Sequence, residues 1–219
     1  MDTLLFFMYM VAYLALFTWG IFLAKNNRWL TASNVVLLVV AGLLYDNAIV
    51  AVGRYIGEGS ILKNLNIARF WVHAFFTPLL VLFAWNTLKR ADIKWAQKNW
   101  VKYGSVCVFL CLVILELFTE TLGLKVEAKW EYGVLSYDSI EKATSPPIMV
   151  IIVTAVLLLT SLIIWWKQKW IWFFIGTLMM TIGSAVPIPV KSGAVVNGFE
   201  LVLIISLMAT KYFQNQLDR

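Results

Sequence analysis

The chain has 219 residues, 61% of them hydrophobic and 14% charged, with a mean hydropathy of +0.80 and a net charge of +6. A soluble domain carries about 25% charged residues and about 45–50% apolar ones, so a single aqueous core cannot absorb this excess, and a separate soluble domain is excluded. The positive charge does not call for a nucleic-acid partner, because Lys and Arg in the loops are what orient a membrane protein.

Seven apolar stretches follow one another, over residues 3–24, 34–52, 69–88, 104–122, 146–166, 171–186 and 195–211. Helices of about 20 apolar residues span a bilayer, so each is expected to be a transmembrane helix. The first follows Met1-Asp2-Thr3 with no basic leader and no clear small-residue cleavage site, which reads as a helix rather than a secretory signal. The second ends in Tyr45-Asp46-Asn47 and runs into Gly53-Arg54 and Gly57-Glu58-Gly59, whose glycines read as turn makers. Tyr45 reads as an interface aromatic, and Arg54 and Glu58 as loop charges.

The third stretch carries Arg69, His73 and Thr77 at i, i+4 and i+8, hence on one face, and Pro78 is expected to kink it. The fourth carries Glu116 and Glu120 one turn apart, with Cys107 and Cys111 earlier in the same segment. Two cysteines in one apolar helix suggest neither a disulfide framework nor a zinc site, which needs about four ligands; they read as small core or helix-contact residues. Ser145-Pro146-Pro147 opens the fifth as an N-cap and first turn. The sixth is the shortest, with Thr177, Thr181 and Ser184 before Pro187 and Pro189 close it, and the seventh starts with Asn197 and Glu200. Trp residues at segment ends (Trp29, Trp71, Trp95, Trp100, Trp130, Trp165, Trp166, Trp170) fit aromatic belts at the headgroup level. No internal repeat or linker is visible.

Counting basic residues loop by loop sets the orientation. With the N-terminus outside, eleven fall in the cytoplasm: Lys25, Arg28, Lys89, Arg90, Lys94, Lys98, Lys102, Lys167, Lys169, Lys211 and Arg219. Seven fall outside: Arg54, Lys63, Arg69, Lys125, Lys129, Lys142 and Lys191. The expected fold is an all-α integral membrane protein, one polytopic domain over 1–219. It is a bundle of about seven transmembrane helices in the cell membrane, N-terminus outside and C-terminus cytoplasmic.

Ionisable groups within membrane helices are costly and mark sites by default. On this topology Asp46, Arg69, His73, Glu116, Glu120, Asn197 and Glu200 share the outer half of the bundle, while the inner halves are nearly free of charge. That segregation predicts a polar pocket, with Asp46, His73, Glu116 and Glu120 as acid/base candidates and Asn47, Arg69, Thr77, Asn197 and Glu200 as binding candidates. The competing reading is structural: Arg69 pairs with Asp46 or Glu116 and the cluster holds helices together.

Several chemistries lack their residues. Lys211 sits at a helix end rather than mid-helix, where a retinal Schiff base would need it. A single histidine, His73, rules out bis-histidine haem and a three-histidine zinc site. Neither an Asp-rich diphosphate motif nor a Gly-x-Ser-x-Gly nucleophile signature is present. The residues then point first to an enzyme acting on a lipid or isoprenoid from within the bilayer, because carboxyls and a His shielded from water can serve as acid and base. Arg69 would hold an anionic or oxygen-bearing group, and a hard divalent cation among Asp46, Glu116, Glu120 and Glu200 is a weaker variant. No cofactor is specified. A transporter or sensor, binding a small solute or cation in the same pocket, is the alternative.

Overall fold

The computed structural model describes residues 2–26, 31–140, 147–185 and 192–217. Helix α1 (Asp2–Asn26) is followed by a 3-10 turn (Ala32–Val35) leading into α2 (Val36–Ile56), then α3 (Ser60–Phe76), α4 (Leu79–Arg90) and α5 (Asn99–Glu116). A π-helical turn (Leu117–Thr121) extends α5 before the strands β1 (Val126–Glu131) and β2 (Val134–Ser139). Helices α6 (Ile148–Gln168), α7 (Trp172–Ala185) and α8 (Gly193–Leu217) complete the chain. Among the described residues six stretches are long and apolar enough to cross a membrane, α3 and α4 together forming one of them, and α7 is a shorter apolar helix. At 14 residues α7 is roughly 21 Å long at 1.5 Å per residue. The protein is thus a polytopic helical membrane protein.

Hydrogen bonds define the two ends of the bundle. At one end Thr3 Oγ1 donates to the Gly133 carbonyl (2.7 Å), the Gly59 amide donates to Tyr137 Oη (3.1 Å), and Ser192 Oγ donates to Asp2 Oδ2 (2.5 Å). The starts of α1, α3 and α8 therefore meet the β1–β2 hairpin. At the other end Lys211 Nζ donates to Asn34 Oδ1 (2.5 Å), Arg90 Nη2 to Asn215 Oδ1 (2.9 Å), and Gln214 Nε2 to Gln168 Oε1 (3.1 Å). This gathers the start of α2 with the ends of α4, α6 and α8. Between the ends lies an apolar core that includes Tyr13, Val39, Phe83, Leu157, Phe173 and Leu207.

The hairpin is an element the all-α expectation did not contain. Glu127, Lys129 and Glu131 alternate with Val126, Ala128 and Trp130, the period-two pattern of a strand. Tyr132 (φ 49°) and Gly133 (φ 84°) form its two-residue turn, where paired positive φ values match the strand twist. Lys129 Nζ bridges Glu131 (3.0 Å) and Asp138 (3.4 Å), and the hydrogen bond to Glu131 holds the ammonium above the usual lysine value. Leu135 lies so close on α2 that a methyl group at Gly53 would run into its carbonyl.

The third apolar helix begins at Ser60, nine residues before the expected position 69. Leu62 and Leu65 of its first turns pack with Val126, Leu135 and Tyr137 of the hairpin and Ile49 of α2, and Asn66 is buried beside them in sequence, so residues that look like a polar loop are an amphipathic helix start. Pro78 separates α3 from α4, as expected, since it has no amide to offer the turn before it. The cysteine reading is corrected. Cys107 and Cys111 are exposed, on a helix that packs little of its surface against the rest of the bundle. Gly57, at φ 81°, caps α2 as a turn glycine. Arg28, Trp29, Glu141, Lys142, Ser145, Pro146, Pro187, Pro189, Lys191 and Arg219 lie outside the described residues, with the cap, stop and loop-charge readings placed on them.

Candidate functional site

A cavity of about 180 Å³ opens between α2, α3 and α8. Helix α2 supplies Asp46; α3 supplies Arg69 and His73, with Thr77 at its end; α8 supplies Asn197 and Glu200. The i, i+4, i+8 spacing of Arg69, His73 and Thr77 turns all three inward. Thr77 Oγ1 and His73 Nδ1 are 3.1 Å apart, one turn apart on the same face. The Pro78 break comes immediately below them, and Gly42 of α2 lets Val72 and Phe76 pack so closely that a methyl group there would run into both side chains.

Arg69 Nε donates to Asp46 Oδ1 at 2.7 Å, and its Nη1 donates to Asn66 Oδ1, also at 2.7 Å. Asn66 in turn donates to the Leu62 carbonyl, which fixes its oxygen toward the guanidinium. Asn197 Nδ2 donates to Asn47 Oδ1 (3.2 Å), and Asn47 Nδ2 donates to the Leu43 carbonyl (2.8 Å). Asn47 is fully buried, so it acts behind Asn197 rather than on the cavity surface. The carboxyl of Glu200 faces the cavity with no hydrogen-bond partner among the described residues.

Two further spaces adjoin this one. An apolar chamber of about 60 Å³ shares Val39, Leu43, His73, Thr77 and Glu200 with the central cavity and is walled beyond them by Leu80, Val153, Leu157, Met180, Leu203 and Ile204. On the hairpin side a vestibule of about 260 Å³ shares Asp46, Arg69 and Asn197. Glu131, Val134, Ser136 and Asp138 of the hairpin, with Asp2 of α1, line it. The Asp46–Arg69 pair thus stands between vestibule and cavity, and His73, Thr77 and Glu200 stand between the cavity and the apolar chamber.

Six of the nine residues named from the sequence line the central cavity, and Asn47 supports one of them. Glu116 and Glu120 do not line these three spaces: they sit at the end of α5 and in the π-helical turn. The four-carboxylate metal variant is therefore not assembled, and among the described residues no group of three or more His, Cys, Asp or Glu is placed to hold a metal ion. Three groups were not singled out as site residues in the sequence. Asn66 was hidden in an apparent loop. Tyr45, read as an interface aromatic, instead donates to the Leu65 carbonyl (2.9 Å) and ties α2 to α3. Tyr13 is fully buried on α1, its hydroxyl has no hydrogen-bond partner among the described residues, and it lies within electrostatic reach of Glu200 and Asp46. A tyrosine midway along an otherwise apolar first helix was its only signal. Compared with protein-family models, curated proteins and solved structures, the chain matches none of them.

Proposed function

We propose that the protein is an intramembrane enzyme that acts on a lipid or isoprenoid by acid/base chemistry, with its hairpin end facing outward. The observation that carries this reading is the shared wall. His73, Thr77 and Glu200 border a polar cavity on one side and an apolar chamber on the other. A molecule lying across that wall would present its polar end to an imidazole and a carboxyl while its apolar part stays out of water. Proton transfer to and from a bound molecule by side chains of these two types is ordinary general acid/base catalysis. In this reading one of His73 and Glu200 takes a proton from the bound molecule and the other returns one to it, Thr77 orients the imidazole through Nδ1, and the Asp46–Arg69 pair shapes the mouth of the cavity. Glu116 and Glu120, acid/base candidates in the sequence, take no part.

The test is a lipid profile. Purified protein in bilayer discs made from total membrane lipid is incubated and the lipids are measured by mass spectrometry, beside His73→Gln and Glu200→Gln. Depletion of one lipid class with a matching product in the unmodified protein, and its loss in both variants at unchanged melting temperature, supports the reading. An unchanged profile overturns it. The vestibule favours a second reading, binding of a small solute or cation from the hairpin side for transport or sensing. A solute would need a polar route past Leu80, Leu157 and Ile204, and those side chains line the way with hydrocarbon.

A further inference from the structure

We infer that the polar end of the molecule this site takes is a protonated amine, and that anionic ends are turned away. This rests on the site proposed above and names its substrate class, but charge and unused hydrogen-bonding atoms carry it rather than any turnover. The central cavity and the vestibule present five carboxyl groups, from Asp2, Asp46, Glu131, Asp138 and Glu200, against one lining cation, Arg69. That guanidinium is engaged by Asp46 through Nε (2.7 Å) and by Asn66 through Nη1 (2.7 Å). Lys129 is shared between Glu131 and Asp138 on the hairpin. Among the described residues Asp2 and Glu200 therefore keep carboxyls to which no cation is paired. Clefts lined by one sign of charge concentrate the opposite sign and repel their own.

The unused polar atoms agree with the charge. Glu200 keeps both carboxyl oxygens, Asp46 keeps Oδ2, and Asn197, whose Nδ2 donates to Asn47, keeps Oδ1, all without partners among the described residues. These acceptors belong to α2 and α8, which line one cavity. An ammonium brings three N–H donors and no acceptor, so it complements them, whereas a carboxylate would bring acceptors to acceptors. A hard metal ion also suits oxygen, but among the described residues no group of three or more His, Cys, Asp or Glu is placed to hold one. Size is no obstacle for a small amine. Five non-hydrogen atoms, at about 30 Å³ each as for a water molecule in the liquid, take up roughly 150 Å³, and the central cavity holds about 180 Å³.

The probe is butan-1-amine, protonated near neutral pH as a lysine side chain is, added at rising concentration to the purified full chain in detergent while the melting temperature is followed. Sodium butyrate, butan-1-ol and sodium chloride at the same concentrations are the comparisons. The expected result is a saturable rise with the amine alone, and a half-saturating concentration raised about tenfold or more in Glu200→Gln, which removes one charge of the pair the amine would form. No rise, an equal rise with any of the three comparisons, or a rise that Glu200→Gln leaves unchanged overturns the inference. Dodecan-1-amine separates two sources of the same group. Half-saturation at a lower concentration than butan-1-amine assigns the ammonium to a lipid head, and half-saturation at an equal or higher one assigns it to a small solute; both support the ammonium. In the lipid profile, depletion of a class that carries no amine overturns this inference and leaves acid/base turnover standing. Amine binding beside an unchanged profile sinks turnover and leaves this inference standing.

Discussion

Asp46→Asn tests what the ion pair at the cavity mouth is for. Arg69 Nε lies 2.7 Å from Asp46 Oδ1, and the side chains are only 18% and 25% exposed, with both lining the cavity. Removing one partner of a pair withdrawn from water costs about 3–5 kcal/mol, because the remaining charge stays buried without compensation. Asn66 still accepts from Nη1, so the low end, about 3 kcal/mol, is expected. For a chain of this size each kcal/mol moves the melting temperature by about 2–4 °C, which predicts a fall of about 6–12 °C. Asp46→Asn combined with Arg69→Gln should recover most of that loss, since neither charge is then stranded. Thermal unfolding of the four purified proteins in one detergent completes the cycle. A single variant that melts with the parent, or a double variant whose loss is the sum of the two singles, would refute the pairing argument. An Asp46→Asn protein that melts with the parent and has lost turnover would make Asp46 a group of the reaction instead.

Gly53→Ala should destabilise by about 1–3 kcal/mol, the usual cost of forcing an extra methyl into a packed contact, because that methyl meets the Leu135 carbonyl; faster proteolysis within the hairpin is the accompanying sign. Tyr13→Phe should raise stability by about 1 kcal/mol in the same melting assay, since it removes a buried hydroxyl that has no partner among the described residues. A reporter fused after Arg219 should read the cytoplasm and one inserted beside Glu131 the outside, from the eleven-to-seven split of basic residues; the opposite labelling reverses the orientation.

Apolar runs made the helices legible, since a stretch of about 20 such residues admits few other structures in lipid. The cavity face of α3 was legible too, because the spacing of Arg69, His73 and Thr77 fixes one side of a helix whatever surrounds it. The start of α3 was not. Ser60 to Ala68 mixes Lys63, Asn64 and Asn66 with Ile61, Leu62 and Leu65, and only the hairpin packed against it explains why those turns are ordered. The hairpin itself left a signal, the alternation through Glu131 and the Tyr132-Gly133 turn, which its dense charge obscured. Depth along the membrane normal placed Glu116 and Glu120 with the others, but depth says nothing about which way a helix faces. Helix α5 packs little of its length, and its glutamates stand apart from the cavity that α2, α3 and α8 enclose.

The pattern of satisfied and unsatisfied polar groups separates scaffold from site better than charge does. Where a polar side chain only holds the bundle together, the fold supplies its partners. Asn47 and Asn66 each donate to the carbonyl four residues earlier and offer their oxygen to a neighbour, while Thr87 and Thr210 donate to carbonyls of their own helices. Beside the cavity that economy stops. Glu200 turns its carboxyl to the cavity, and on α1 the Tyr13 hydroxyl is buried with no hydrogen-bond partner among the described residues. The other buried atoms so placed, Asn86 Oδ1 and Asn215 Nδ2, lie toward the far end of the bundle, and Asn215 keeps a bond from Arg90. An unpartnered buried hydroxyl costs about 1–3 kcal/mol, and replacing Tyr13 with Phe would remove that cost without changing the shape of the ring. A scaffold gains nothing by keeping it. Tyr13 lies within electrostatic reach of Glu200 and Asp46, so Tyr13→Phe should melt higher than the parent, and a change in turnover beside that gain would tie the hydroxyl to the carboxyls of the cavity.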